Sequence, residues 1–120
     1  MANSVARTGI GPDGFSFDSN AAGMTFQQKL FFEEHGFYIT SAGYYLRPEV
    51  LESNFYAWRV TGDQKYVDRA RQATKSIQSY LRFERNGERL YSGIGNVNEK
   101  QPQHLDGVES FWYAEVLKYL

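Results

Sequence analysis

Glu49 and Glu52 stand three residues apart directly after Arg47-Pro48, with Tyr56 one turn further on. On a helix this spacing sets the two carboxyls about 60° apart, with Tyr56 between them. The unit is also repeated: Leu51-Glu52-Ser53-Asn54-Phe55-Tyr56-Ala57 returns 57 positions later as Val108-Glu109-Ser110-Phe111-Trp112-Tyr113-Ala114. Each copy opens a predicted helix with a glutamate in the first turn and bulky aromatics around it. The repeat predicts stacked helical hairpins that bring carboxylates to one common end. Acidic groups at helix N-termini beside aromatic rings suit the handling of a sugar.

Each carboxylate also has a plainer explanation. Acidic side chains in a first turn are favoured by the helix dipole, by roughly 0.3–1 kcal/mol each, and can simply sit in water. Against this, the face that bears Glu49 and Glu52 also bears Tyr56 and Val60, and Arg47 stands where it can hold an anionic cluster. For Glu109 the spacing Asp106-Gly107-Val108-Glu109 fits a capping box. Glu52 has no matching Asp three residues upstream, so capping does not account for both copies. Glu33-Glu34-His35 and His104 lack metal-ligand spacing, and Gly93-Ile94-Gly95-Asn96 lacks the Gly-Lys-Ser/Thr ending of a phosphate loop.

The elements that must position these residues follow from local pattern. Residues 1–23, rich in Gly, Ser, Asn and Asp, read as loop. Phe26, Leu30 and Phe31 support a short helical turn within 24–35. Two extended stretches follow, at 37–40 and 43–46. Pro48 suits the first position of a helix over about 48–60, whose Leu51, Phe55 and Trp58 form an i, i+4, i+7 stripe. Gly62 ends it, and Asp63 caps an antiparallel helix to about residue 82 with Tyr66, Ala70, Ala73, Ile77 and Leu81 inward. Residues 84–105 read as a long loop. A last helix is expected from Asp106 to Leu120, apolar nearly all round and without a stop signal, as though the chain were truncated inside a larger protein.

The totals narrow the classes. With 120 residues the chain can form one small domain with a modest core. Lys plus Arg number 13 and Asp plus Glu 14, a balance that offers no attraction to nucleic acid. No run approaches the roughly 18 apolar residues that span a bilayer, so no membrane contact is expected within this segment. Without cysteine there is neither a disulfide nor a thiolate metal site.

The motifs in order are similar to those of a known family. Leu46-Arg47-Pro48-Glu49-Val50-Leu51-Glu52-Ser53, then Phe55-Tyr56-Ala57-Trp58-Arg59-Val60-Thr61-Gly62-Asp63 and Lys65-Tyr66, resemble the C-terminal quarter of the class I α-1,2-mannosidases, family 47 of the glycoside hydrolases. Asp106-Gly107-Val108-Glu109-Ser110-Phe111 resembles that family's closing Asp-x-Met-Glu-Ser-Phe motif, with Val108 in place of Met. Thr8-Gly9-Ile10-Gly11-Pro12-Asp13 resembles its Gly-x-x-Pro-Glu element, and Gly36-Phe37-Tyr38-Ile39-Thr40 is most like the fungal branch.

The resemblance implies an all-α fold, an (α/α)7 barrel of helical hairpins, of which residues 1–120 would be a truncated C-terminal portion of a single catalytic domain. It implies inverting hydrolysis of terminal α-1,2-linked mannose on high-mannose N-glycans, with a bound Ca²⁺. Glu49 matches the family's proposed general base, and Asp13 stands where the family carries an active-site Glu. Arg47, Glu52 and Glu109 match residues that line the sugar pocket and meet calcium-bound waters, with no direct metal ligand among them. The general acid comes from earlier hairpins in the family and its calcium-binding Thr from beyond Leu120, so the chain alone is expected to be inactive. The secretory pathway (endoplasmic reticulum, Golgi) or secretion is implied from the family only. Two other readings stay open here: a glycan-binding quality-control member of the same family, and a non-catalytic helical-repeat scaffold, whose usual periods near 34–47 residues do not suit a spacing of 57.

Overall fold

A computed structural model describes residues 7–120. The loop reading of residues 1–6 lies outside the described residues. Among the described residues four helices, α1 (Phe26–His35), α2 (Glu49–Thr61), α3 (Gln64–Tyr80) and α4 (Ser110–Ala114), account for most of the regular structure. Short strands form two two-stranded sheets, β1 (Gly14–Ser16) with β2 (Tyr38–Ser41) and β3 (Arg82–Arg85) with β4 (Glu88–Tyr91), both antiparallel.

The central hairpin forms as its local signals demand. Helix α2 begins at Glu49, with Pro48 just outside it as the cap residue, one position later than expected. Gly62 takes φ 68° and returns its N–H to the Trp58 carbonyl, closing the helix. Asp63 then accepts from the Lys65 N–H at 3.0 Å and starts α3. Inward from this hairpin, Leu51, Ile77 and Leu81 join Leu46, Ile94 and Val97 in one core with Trp112 and Val116. Trp58, expected inside, is 36% exposed; the buried position on its turn is Asn54.

Several expectations are corrected. Residues 14–16 are a strand rather than loop, paired to β2 with Gly14 opposite Ser41. An added Cβ on Gly14 would meet Ser41 Cβ at 2.7 Å, so only glycine lets the strands close there. The stretch 43–46 is not a strand. Tyr44 makes one isolated bridge to Ile94, and Leu46 turns into the left-handed region at φ 62°.

The long loop at 84–105 holds the β3–β4 hairpin, turned by Asn86 (φ 54°) and Gly87 (φ 79°). Two positive φ values in a two-residue turn match the twist of the flanking strands, which is why Asn-Gly is favoured there. The last helix is also shorter than expected. Only Ser110–Ala114 is α-helical; Glu115 breaks it at φ −129°, and Val116–Lys118 form a 3-10 turn. Trp112, Val116 and Tyr119 are buried, whereas Tyr113, Leu117 and Leu120 are exposed, so the segment is apolar all round yet covered on one side.

The body is a slab of 44 × 41 × 23 Å with a radius of gyration of 15.5 Å, wider than the roughly 13.6 Å of a compact domain of this length. Helix α1 contributes no buried residue. It is tied down by a Thr25–Gln28 capping box and by Gln28 Nε2 donating to the Ile39 carbonyl at 3.0 Å.

Candidate active site

The best-organised cluster of charged side chains lies where the Gly-rich N-terminal segment crosses the lead-in to α2. Thr8 is buried, donates its hydroxyl to the Val97 carbonyl at 2.9 Å and accepts from the Ile10 N–H at 3.2 Å. This anchors the segment that delivers Asp13. The Asp13 N–H donates to the Gly43 carbonyl at 2.9 Å, and Asp13 Oδ2 accepts from the Tyr45 N–H at 2.7 Å. The same oxygen lies 3.5 Å from Arg47 Nε, and Arg47 Nη1 lies 3.7 Å from Glu49 Oε1. One guanidinium therefore spans two carboxylates from distant parts of the chain, a task that suits its rigid fork of donors.

The two acids differ in setting. The Asp13 side chain is 12% exposed, that of Glu49 63%. Burial pushes the Asp13 carboxyl above its ordinary range; the Tyr45 N–H and Arg47 work against that shift, and the nearby Glu49 charge adds to it. Glu49 heads α2, where the helix N-terminus and Arg47 place positive potential beside an accessible carboxylate.

Behind them, Tyr44 is buried and donates its hydroxyl to the Arg47 carbonyl at 3.0 Å. Its phenol is held protonated by burial, with the Asp13 and Glu49 charges adding to the effect. Glu52 lies one turn into α2, where its N–H donates to the Pro48 carbonyl and its Oε1 accepts from Tyr119 Oη at 3.3 Å.

Glu109 is placed differently. It is the cap residue of α4 and exposed, and it makes no side-chain capping bond, so the Asp106–Glu109 capping box does not form. Among the described residues no hydrogen bond or ion pair joins Glu109 to Glu49 or Glu52. The structure thus brings Asp13, Arg47 and Glu49 together, with Glu52 on the following turn, and leaves Glu109 outside that network. Tyr44, Tyr45 and Tyr119 were not anticipated as partners. Only the Gly43-Tyr44-Tyr45 lead-in beside the motif hinted at the first two, and nothing local marked Tyr119.

Among the described residues no three His, Cys, Asp or Glu side chains gather as metal ligands. His35 packs flat on Phe31 at 4.1 Å. His104 Nδ1 lies 3.0 Å from Ser92 Oγ, and burial lowers its basicity; Ser92 is 1% exposed, so the pair serves packing, not attack on a substrate. Trp112 is buried against Tyr91, with ring centroids 5.2 Å apart, which leaves it no face for a sugar. No helix among the described residues is long and apolar enough to cross a membrane.

Residues 1–120 match the glycosyl hydrolase family 47 model. The chain belongs to that family. It is 48% identical over 113 residues to the mannosyl-oligosaccharide alpha-1,2-mannosidase 1B of Emericella nidulans, and 43% identical over 113 residues to that of Aspergillus phoenicis. Each match covers 93% of this chain and 21% of the relative. Among solved structures, an alpha-1,2-mannosidase from Trichoderma reesei superposes with a TM-score of 0.76 at 43% identity, over 93% of this chain and 23% of that one.

The expected fold class holds: the solved neighbour is an (α/α)7 barrel, and this chain is mostly helical with a few short strands. The chain spans about a fifth of the length of the curated relatives it matches. The helical-repeat scaffold reading gives way to the family.

Proposed function

We propose that this chain is the C-terminal portion of an inverting α-1,2-mannosidase that removes terminal α-1,2-linked mannose from high-mannose N-glycans. The observation that carries this reading is the head of α2. The family's Leu-Arg-Pro-Glu motif folds so that Arg47 reaches Glu49, and Glu49 is left open to solvent. Inverting hydrolysis needs a carboxylate that activates water and, roughly 6.5–9.5 Å away, an acid that protonates the leaving oxygen. Glu49 takes the first part. Its free carboxylate draws a proton from a water held opposite the leaving group, and Arg47 steadies it. Arg47, Glu52 and Glu109 serve the walls of the sugar pocket. The acid is proposed to come from parts of the domain outside these 120 residues.

The Ca²⁺ proposal rests on the family resemblance. Calcium prefers six to eight oxygen ligands, and the carboxylates here are of the right chemical type but do not cluster. Glu49, Glu52 and Glu109 fit as acceptors for calcium-bound waters and not as direct ligands. When bound, the ion would supply positive charge that orients sugar hydroxyls. On the family resemblance alone, the proposed location is the secretory pathway, endoplasmic reticulum or Golgi, or outside the cell.

The test is Glu49→Gln in a complete family-47 domain that contains this chain. Turnover of an α-1,2-mannobiose should fall by about 10²–10⁴-fold while the melting temperature stays put. Parallel loss of folding and turnover would assign Glu49 a structural role instead. The 120 residues alone should release no mannose, and turnover by them would refute the proposed division of labour.

A further inference from the structure

We propose that Asp13 is a positioning residue: it pins the turn at Leu46 and aims Arg47 at Glu49. The inference rests on the mannosidase reading above and deepens it.

The turn from Gly43 to Pro48 is unusual in its backbone. Leu46 has a branched side chain and φ 62°, a conformation that residues other than glycine, asparagine and aspartate rarely adopt. Such a conformation persists only where the surroundings over-determine it. Here they do so from three sides. The Leu46 side chain is 1% exposed and locked in the core. On the C-terminal side, the Arg47 carbonyl accepts from Tyr44 Oη at 3.0 Å. On the N-terminal side, Asp13 takes the Tyr45 N–H at 2.7 Å and gives its own N–H to Gly43 at 2.9 Å.

Asp13 is thus bonded to the residues on either side of Tyr44, while its Oδ2 also faces Arg47 Nε at 3.5 Å. With Nε engaged there, the other end of the guanidinium points Nη1 at Glu49. The nearly covered carboxyl works inward on the backbone and on Arg47, whereas the open one, Glu49, meets the solvent side. This division separates an acid that acts through another residue from one that touches the reacting atoms.

Two variants test the pin in this chain. In Asp13→Ala the Tyr45 amide should exchange with solvent deuterium about tenfold faster. In Asp13→Asn, which keeps an oxygen acceptor but not the charge, the Tyr45 amide should stay protected while the Arg47 Nε chemical shift moves to that of a solvated arginine. Unchanged Tyr45 exchange in Asp13→Ala would overturn the proposal. If that variant does not fold, an unchanged Arg47 Nε chemical shift in Asp13→Asn would overturn it equally.

In a complete family-47 domain, Asp13→Asn should lower kcat by about tenfold to a hundredfold with KM little changed. That loss should vanish in an Arg47→Ala background, because the pathway runs through Arg47. Fully additive losses would overturn the proposal. A domain that turns over no α-1,2-mannoside at all would sink the mannosidase reading, and the exchange experiments would then decide the role of Asp13 independently.

Discussion

Tyr119 donates its phenolic hydroxyl to Glu52 Oε1 at 3.3 Å, across 67 residues of sequence. Its ring also packs on Phe55 and Tyr56, with centroids 5.5 and 6.3 Å away. The last segment of the chain therefore closes over the first turns of α2 with a polar tip on a site carboxylate and an apolar body on the helix.

This contact has an alkaline signature. Burial, the neighbouring Tyr56 phenol and the Glu52 charge push the Tyr119 phenol up to about 12. The fold favours the protonated phenol, so its stabilising effect is complete below the ordinary value of 10.0 and is lost as pH rises to about 12. Denaturation midpoints followed between pH 9 and 12 should show a loss in this chain that Tyr119→Phe lacks. Parallel curves for the two proteins would remove the contact from the stability argument.

Asp13 gives an acid-side prediction of its own. Its carboxyl is raised above the ordinary carboxylate range, chiefly by burial. A raised acid favours the fold most when protonated, so its contribution is complete below about 4 and fades as pH climbs through the raised value. The stability difference between this chain and Asp13→Asn should shift in favour of the unsubstituted chain on acidification from pH 6 to pH 4. A difference that is flat over that range would contradict the burial of Asp13.

Gly93 sits where the chain has no room. A Cβ there would lie 2.7 Å from the Tyr44 carbonyl oxygen, which is itself bonded to the Ile94 N–H at 2.9 Å. Gly93→Ala should cost about 1–3 kcal/mol in urea unfolding, through displacement of the Tyr44–Ile94 bridge. Loosening that bridge should also speed exchange at the Tyr45 amide next to it. A stability change near zero would mean that the bridge yields freely.

Asn54 is buried on α2 with Nδ2 donating to the Val50 carbonyl at 2.7 Å, while its Oδ1 has no partner. A buried acceptor without a partner costs about 1–3 kcal/mol, so Asn54→Leu, close in volume, should raise the unfolding midpoint of this chain. A fall would show that Oδ1 finds a partner that outweighs that cost.

Much of α2 and α3 was readable because their signals are local. Pro48 at the start, Gly62 in the left-handed region and Asp63 as a cap act within one turn, and a helix needs nothing further away to begin or end. The Asn86-Gly87 turn was equally local, and its hairpin was legible though read as loop. The strand at Gly14–Ser16 was not, because three residues carry no periodicity and become a strand only when β2 supplies the partner. Nothing in the local sequence marks Glu115 as the break that ends α4.

The residues of the site divide along the same line. Spacing and local pattern determined the hairpin that presents Glu49 and Glu52, and the order of the motifs determined the family, from which the proposed roles of these side chains are drawn. Tertiary structure decided which of them meet. Asp13 reaches Tyr45 across 32 residues and Tyr119 reaches Glu52 across 67, while among the described residues Glu109 makes no hydrogen bond or ion pair with either pair. Helix caps and periodicity are set by neighbours within a turn or two, but a hydrogen bond between distant segments exists only once the core has brought the backbone together. Leu46, buried and held in a left-handed turn, is where those two levels join.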